Sequence, residues 1–280
     1  MKSNPRGWCC SPRAWLVASA VALALMPGAW WLNDWLQVRL LYGGPLRYPA
    51  TFSKAPRGFD YATSAGRQTA FYLPPADGQS PERLWVIFSG HGSLAAWWLP
   101  LLDQARVAGT GFLLVDYPGF GFCTGRPSPA RIQESADGAL AALRERGVTP
   151  ARLGVAGYSL GTGPALQFAT RHDAVERVLL LAPYTSVSDL QQLFYGLRTP
   201  WLLRHEFDNR AAMTALAARA TPPTVIIVHG EKDDTVPPVM GRELAGLLPT
   251  AVFHSLPDAG HGTIVAEAAW WLGEWEPSTP

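Results

Sequence analysis

Cysteine is scarce in this sequence: the 280 residues include three, at positions 9, 10 and 123. One adjacent pair and one distant residue do not make the set of spaced pairs that characterises a disulfide framework. The sequence therefore excludes a small disulfide-rich domain, and its cysteines do not indicate a redox compartment. Charge is scarce as well, because Asp, Glu, Lys and Arg make up 16% of the residues and the formal net charge is +1.

The basic residues are dispersed, and no block of Lys and Arg interleaved with aromatic residues occurs. Such blocks are typical of nucleic-acid binding, so the sequence predicts no nucleic-acid partner. Internal repeats and low-complexity segments are also missing. Hydrophobic residues make up 48% of the chain, which is enough to bury one large core. These features predict one globular catalytic domain, which we place over residues 43–280.

One long apolar run precedes that domain. Residues 14–32 contain no charged residue, and three basic residues precede them. A run of this length is just sufficient to span a bilayer as a helix. We therefore expect residues 1–42 to form an N-terminal segment with a single membrane anchor, and the positive-inside bias places the catalytic domain on the non-cytoplasmic side. The competing interpretation is a cleavable signal peptide, which gives a secreted or periplasmic protein.

Short β-like runs alternate with helical runs along the rest of the chain. Several strands are continuous and apolar, as at 178–182 and 224–229, which is typical of a sheet buried on both faces. This alternation predicts an α/β fold with a mostly parallel central sheet flanked by helices. The predicted strands are 68–73, 84–89, 112–116, 152–156, 178–182, 224–229 and 252–256, and the predicted helices are 96–108, 129–146, 160–171, 239–248 and 263–274.

The connection between Ala182 and Thr224 is unusually long for a compact domain. Long excursions of this kind are typically lids or binding loops, so we predict a short cap or lid over residues 185–222. Its aromatic residues either line an acyl pocket or form the small core of the cap. They are Phe194, Tyr195, Trp201 and Phe207.

The stretch GYSLG at 157–161 places Ser159 between two glycines, where a predicted strand ends and a predicted helix begins. This is the setting of a nucleophile elbow, in which a strained turn presents the serine hydroxyl above the sheet. Crowding at such a turn excludes side chains from the flanking positions, and glycine has none. Ser159 is therefore a candidate nucleophile. A glycine-rich turn with an incidental serine is the alternative interpretation.

A nucleophilic serine requires a base and a carboxylate, which in an open α/β sheet come from loops at the carboxyl ends of later strands. His261 lies in a glycine-flanked loop after the last predicted strand and is the candidate base. Asp233 and Asp234 follow the preceding strand, and both are candidates for the acid. The order serine, acid, histidine is the one expected for an α/β sheet with a serine elbow. Other histidines are assigned structural places: His229 and His254 in strands, His172 and His205 at the surface.

Three segments resemble the α/β-hydrolase superfamily, and more narrowly its membrane-anchored serine hydrolase branch related to monoacylglycerol lipases and acyl-protein thioesterases. VDYPGFGFCTGRPS at 115–128 is similar to that branch's Asp-Tyr-Arg-Gly-Tyr-Gly loop, with Pro118 in place of the arginine. GYSLGTGPAL at 157–166 is similar to its elbow, and HGEKDDTVP at 229–237 to its acid loop. The resemblance extends from about Leu84 to the C-terminus. It implies that Asp233 is the acid, with Asp234 beside it.

The resemblance also implies an oxyanion hole made of two backbone N–H groups. One belongs to Leu160, the residue after the serine. The other comes from the loop FSGHGS at 88–93, which fits the family pattern in two registers. Spacing to neighbouring motifs makes His91 the donor, whereas a literal match of His-Gly makes Ser93 the donor. We take His91 as the predicted donor.

Together these residues imply a serine hydrolase that cleaves a carboxylic ester or lipid-like acyl substrate through an acyl-enzyme on Ser159. The mechanism requires no metal or cofactor, and no metal-ligand spacing occurs in the sequence. A thioesterase, a peptidase or an amidase would use the same triad. A hydrolase-fold binding module without catalysis is an alternative of a different class. The motifs indicate neither a particular natural substrate or acyl chain length nor an oligomeric state.

Overall fold

An eight-stranded sheet forms the centre of the protein. The computed structural model describes residues 12–104, 106–273 and 275, with the backbone alone for residues 12–25 and 269. The strands are β1 (Gly58–Thr63), β2 (Gly66–Leu73), β3 (Arg83–Phe88), β4 (Thr110–Val115), β5 (Arg152–Tyr158), β6 (Val175–Leu181), β7 (Thr224–Gly230) and β8 (Ala251–Leu256). Their spatial order is β1-β2-β4-β3-β5-β6-β7-β8. β1 and β2 pair antiparallel, as do β2 and β4, and all other pairs are parallel.

The described helices connect the strands and cover the sheet. They are α1 (Pro12–Tyr42), α2 (Leu99–Gln104), α3 (Pro129–Glu145), α4 (Thr162–Arg171), α5 (Val187–Tyr195), α6 (Asn209–Ala217), α7 (Pro238–Ala245) and α8 (Ala268–Gly273). Helices α3, α4, α6 and α7 contact one another in series, whereas α2 contacts α8. This architecture confirms the predicted α/β fold with a mostly parallel sheet flanked by helices.

The central strands form where the sequence is continuously apolar. Every residue of β4 is buried, and so is nearly all of β7, because helices cover both faces of a parallel sheet. The prediction missed β1, which is an edge strand with mostly half-buried residues. A two-residue loop joins β1 to β2, since Thr63 pairs with Gly66. The pairing that makes this weakly apolar segment a strand is not visible in its own pattern.

The predicted membrane anchor over residues 14–32, and with it the membrane-anchored localisation, is wrong. Across the residues that the structure describes, no helix combines the length and the apolar character needed to cross a bilayer. Helix α1 continues past the apolar run to Tyr42. Its last turns contact the chain around Leu202. Asn33 Nδ2 and Gln37 Nε2 each donate a hydrogen bond to the carbonyl of Leu202, at 2.9 and 2.7 Å.

The chain between β6 and β7, residues 182–223, carries α5, a short 3₁₀ turn at Pro200–Leu202 and α6. We call it the β6–β7 segment. Its aromatic residues divide between the two predicted roles: Phe207 is fully buried, whereas Phe194 and Tyr195 border the cavity described below. Trp201 belongs to neither group, because 76% of its surface is exposed. Cys123 is buried and unpaired, while Cys9 and Cys10 lie outside the described residues.

Candidate active site

Ser159 follows β5 directly and begins a single 3₁₀ turn that leads into α4. Its φ of 51° is in the left-handed region, which residues other than glycine rarely adopt. The flanking glycines are required by contact. A Cβ atom at Gly157 would lie 2.3 Å from the carbonyl oxygen of Gly161, and one at Gly161 would lie 2.2 Å from that of Phe88. The turn is therefore the crowded, strained elbow that the sequence predicts.

The structure brings Ser159, Asp233 and His261 together in one hydrogen-bonded series. Nε2 of His261 lies 2.9 Å from Oγ of Ser159, and Nδ1 lies 2.8 Å from Oδ2 of Asp233. The three residues follow β5, β7 and β8, whose carboxyl ends meet at one edge of the parallel sheet. Asp234 has a different position: it is exposed, and its carboxylate accepts a hydrogen bond from Thr235 Oγ1.

The environment of Asp233 keeps its carboxylate ionised. Burial by itself would raise the pKa of Asp233, but hydrogen bonds from His229, His261 and the Val236 N–H hold it well below its usual range. Oδ1 accepts from the backbone N–H groups of Thr235 and Val236 at 3.0 and 2.8 Å. Because the ionised carboxylate can only accept, the proton on Nδ1 of His261 points to it, and Nε2 is left as the acceptor for Ser159.

The acid and base loops are fastened to each other through backbone contacts. Lys232 N–H donates to the carbonyl of Ala259 at 3.0 Å, and Glu231 N–H donates to that of Leu256 at 2.9 Å. This approach requires glycine at position 230, where a Cβ would lie 2.1 Å from the Ala259 oxygen. Tyr158 adds a contact from the elbow, since its hydroxyl donates to the carbonyl of His261 at 2.9 Å.

The predicted oxyanion loop packs against the C-terminal end of α1. The N–H of Gly92 donates to the Tyr42 carbonyl at 3.2 Å, and Nδ1 of His91 lies 3.0 Å from the Leu41 carbonyl. Because a carbonyl can only accept, Nδ1 of His91 carries a proton in this contact. Terminal helix carbonyls have no partner within their own helix, and this loop supplies donors for two of them. The His91 imidazole is thus held by α1.

Asp116 holds the opposite end of the same loop, and sequence reasoning assigned it no role. Its Oδ1 accepts from the Ala95 N–H at 2.8 Å, and its Oδ2 accepts from the Tyr48 hydroxyl at 2.8 Å. The Tyr48 oxygen in turn accepts from the Ala96 N–H at 2.9 Å. Burial raises the pKa of Asp116 to about 6. A buried carboxylate therefore fixes the short 3₁₀ helix Ala95–Trp98, which follows the His91 loop.

A cavity of about 650 Å³ opens beside Ser159. Leu160 and His91, the two predicted oxyanion donors, line it together with Ser159 and His261. Ser93, the alternative donor, is not among its lining residues in the described part of the chain. Most of the remaining lining comes from α1 and the β6–β7 segment: Gln37, Leu40, Leu41, Val187, Leu190, Gln191, Phe194, Tyr195, Leu197 and Leu203.

The contribution of α1 to this cavity was not predicted, because the sequence places residues 1–42 in an N-terminal segment apart from the catalytic domain, whereas Gln37, Leu40 and Leu41 line the cavity. The polar residues that follow the apolar run were the sequence signal that α1 contacts the rest of the protein.

The prediction that His205 lies at the surface is wrong, because this residue is 1% exposed. Its Nδ1 lies 3.2 Å from the Tyr42 hydroxyl, and its Nε2 lies 3.2 Å from Asp34 Oδ1. Both nitrogens of its imidazole thus contact side chains of α1.

Within the described residues, no group of three or more His, Cys, Asp or Glu side chains is placed to hold a metal ion. The chemistry available at the site is that of the hydrogen-bonded side chains themselves. A serine hydroxyl beside a histidine acceptor, oriented by an ionised carboxylate, is an arrangement that can activate the hydroxyl as a nucleophile.

Two sequence relatives extend over different shares of the chain. The protein Rv2307c of Mycobacterium tuberculosis is 29% identical over 235 residues, which cover 80% of this chain and 80% of that protein. The human α/β-hydrolase domain-containing protein 17C is 30% identical over 138 residues, or 49% of this chain and 39% of that protein. No family profile matches the sequence.

Among solved structures, an esterase of Pyrococcus furiosus superposes with a TM-score of 0.62 at 13% sequence identity. The superposition covers 82% of this chain and 95% of that esterase. At this identity the likeness concerns the fold. Together with the strand order and the serine elbow, it shows that the chain has the α/β-hydrolase fold.

Proposed function

We propose that the protein is a serine hydrolase that cleaves an acyl ester through a covalent intermediate on Ser159. The observation that carries this proposal is the continuous series Asp233, His261 and Ser159, with contacts of 2.8 and 2.9 Å, at a strained elbow that opens into a cavity. In this arrangement each member has the partner that its role requires.

The reaction follows from the positions of the protons. Nε2 of His261 takes the hydroxyl proton as Oγ of Ser159 attacks the acyl carbon, and Asp233 stabilises the imidazolium. The N–H groups of Leu160 and His91 are the proposed donors to the developing oxyanion. As the ester bond breaks, His261 gives its proton to the leaving alkoxide oxygen. Water, deprotonated by His261, then attacks the acyl carbon. The bond to Oγ of Ser159 breaks, His261 returns its proton to Oγ, and the acid is released.

The cavity lining supports a neutral, largely apolar substrate. Its described lining includes no Asp, Glu, Lys or Arg, and most of its side chains are aliphatic or aromatic. A charged substrate would lose hydration there without gaining a partner of opposite charge. These properties, and the esterase among the structural neighbours, favour a carboxylic ester or lipid-like acyl substrate. A thioester presents the same acyl carbon to Ser159, and the assay below includes one.

In this proposal, residues 43–280 form the catalytic domain and residues 185–222 form its cap. The cap is joined to the elbow through Asn209, whose Nδ2 donates to the Tyr184 carbonyl at 2.8 Å and lies 3.4 Å from Thr162 Oγ1. Thr162 in turn donates to the carbonyl of Ser159 at 2.7 Å. Residues 1–42 precede the catalytic domain, although the end of α1 contributes to its cavity.

The test is labelling with a fluorophosphonate, combined with hydrolysis of p-nitrophenyl acetate and of an acyl thioester. Wild-type protein should be labelled and active, whereas Ser159→Ala should lose labelling and about 10⁶-fold in turnover, the size of the loss in another serine hydrolase. Ser255→Ala is the matched control, because Ser255 is an exposed serine on β8 and should remain labelled and active.

Circular dichroism should show that Ser159→Ala is folded, since alanine is smaller than serine and fits the elbow. Turnover retained by purified Ser159→Ala would refute the mechanism. A wild-type protein that is neither labelled nor active on any ester or thioester would instead support a hydrolase-fold binding module.

A further inference from the structure

One wall of the cavity beside Ser159 is supplied by the N-terminal helix and not by the central sheet or its loops. Gln37, Leu40 and Leu41 of α1 line the cavity, and Val38 and Tyr42 on the same helix are buried in the core. Leu40 is 55% exposed, so its side chain borders both the cavity and solvent. The last turns of α1 are therefore part of the site that surrounds the candidate nucleophile.

Gln37 fixes this part of α1 against the β6–β7 segment. Its Oε1 accepts from the N–H groups of Arg204 and His205 at 2.7 and 3.2 Å, and its Nε2 donates to the Leu202 carbonyl at 2.7 Å. One side chain thus satisfies three backbone groups of the opposing segment. Asp34 adds ion pairs with Arg204 and Arg126, at 3.0 and 3.2 Å.

The end of the helix is also fixed relative to Ser159, because the His91 loop donates hydrogen bonds to the carbonyls of Leu41 and Tyr42. Gly43 and Gly92 approach so closely that a Cβ at Gly43 would lie 2.9 Å from the Cα of Gly92. The aliphatic side chains of α1 are therefore held at a defined place beside the proposed oxyanion donors.

The side chains around this place are apolar. Leu40 and Leu41 of α1, Leu190 and Phe194 of α5, and Leu197 line the same cavity as Ser159. Phe194 and Leu197 are half or more exposed, at 52% and 60%. Covering such a surface with an apolar ligand is favourable, and the free energy of binding improves in proportion to the apolar area removed from water. An aliphatic chain attached to the acyl carbon is the part of a substrate that such apolar walls would favour.

We propose that the end of α1 is a specificity element of the hydrolase: Leu40 and Leu41, together with Leu190 and Phe194 of α5, form the subsite for a linear aliphatic acyl chain whose carbonyl carbon lies at Ser159. The proposal rests on the proposed function and names its substrate class. It assigns the chain-length preference to a helix outside the proposed catalytic domain.

The test compares p-nitrophenyl acetate, butyrate and octanoate, by kcat/KM, in the full-length protein and in two variants. Each methylene buried from water contributes about fourfold, so wild-type kcat/KM should rise with chain length. Leu40→Asn places an amide against the chain and should lower the octanoate-to-acetate ratio about tenfold. Leu36→Asn is the matched control, because Leu36 lies one turn earlier on α1, is 42% exposed and is not among the cavity-lining residues.

Both substitutions carry the same intrinsic helix penalty, so a general loss of stability would affect them alike. The proposal is supported if the ratio falls in Leu40→Asn and stays within twofold of wild type in Leu36→Asn. A wild-type ratio in Leu40→Asn, or an equal fall in both variants, overturns it.

A second measurement separates this inference from the proposed function. Binding of p-nitrophenyl octanoate is measured by calorimetry in Ser159→Ala and in the double variant Ser159→Ala/Leu40→Asn. Both lack the proposed nucleophile, so binding is measured without hydrolysis. Binding weakened about tenfold by the asparagine supports the subsite even if the wild-type protein hydrolyses no ester. Equal binding in the two proteins overturns the subsite even if Ser159 is an active nucleophile.

Discussion

The two sides of the cavity are built by different means. The triad edge, consisting of Ser159, Asp233 and His261, lies on loops at the carboxyl ends of parallel strands. Its side chains are hydrogen-bonded to one another, with Ser159 and Asp233 buried and His261 partly buried. The apolar wall, consisting of residues 37–41 of α1 and 187–203 of the β6–β7 segment, exposes large hydrophobic side chains, including Leu40 and Leu197. Proton transfer depends on fixed distances of about 3 Å, whereas burial of an acyl chain depends mainly on area.

This difference implies different responses to mutation. A change at the triad edge should reduce the hydrolysis of every substrate by a similar factor, since all acyl groups react at the same carbon. A change in the apolar wall should alter the ratio between long and short chains. The following predictions test that separation, beginning with the largest expected effect.

Asp233→Asn should lower kcat about 10⁴-fold, because an amide cannot hold His261 in the tautomer that leaves Nε2 as an acceptor. The loss should be similar for acetate and octanoate esters. Asp234→Asn is the control, since Asp234 is exposed and contacts Thr235, and its effect should be far smaller. The reverse ranking would show that Asp234 orients the histidine. A loss confined to octanoate would contradict the separation of the two sides.

His91→Pro should cost about 10² to 10³ in kcat, because it removes one proposed oxyanion donor. His91→Ala keeps the N–H group and loses only the imidazole contact with Leu41, so its loss should be below about tenfold. Circular dichroism and thermal unfolding should be measured on both, since proline can also distort the loop. A severe loss of turnover in a well-folded His91→Ala would show that His91 contributes to turnover through its imidazole and not through its backbone N–H group.

Gln37→Ala should have the smallest effect on turnover and should act on the apolar wall. It removes the acceptor of the Arg204 and His205 N–H groups and leaves the Leu202 carbonyl with Asn33 alone, at a cost of about 1 kcal/mol in the free energy of unfolding by urea. The octanoate-to-acetate ratio should fall a few-fold as α1 loosens. Gln104→Ala, at the end of α2 and outside the cavity lining, should change neither quantity. An unchanged octanoate-to-acetate ratio in Gln37→Ala would show that the hydrogen bonds of Gln37 are not needed to position α1 beside the cavity.

Much of the fold was predictable because a parallel strand that is buried on both faces has a continuous run of apolar residues. Seven of the eight strands, β2 to β8, show either such a run or an alternation of apolar and polar residues. The edge strand β1 was missed because its stability depends on pairing with β2 rather than on its own apolar pattern. The membrane anchor predicted over residues 14–32 is wrong, since no described helix has the length and apolar character to cross a bilayer. Hydropathy also does not register the polar contacts that the residues after the run make with the β6–β7 segment.

The sequence by itself determined the glycine-flanked elbow around Ser159 and the chain order of Ser159, the two aspartates and His261. Positions 157 and 161 require glycine, because the backbone atoms around them leave no room for a Cβ. A local constraint of this kind can be inferred from the sequence alone. Asp233 and Asp234, in contrast, are adjacent and chemically equivalent in sequence. The tertiary structure decided which of them lies beside His261, because the turn after β7 buries the carboxylate of Asp233 there and leaves that of Asp234 in water. It also decided the place of α1, whose contacts with Leu202 and with the His91 loop join residues that lie far apart in the chain.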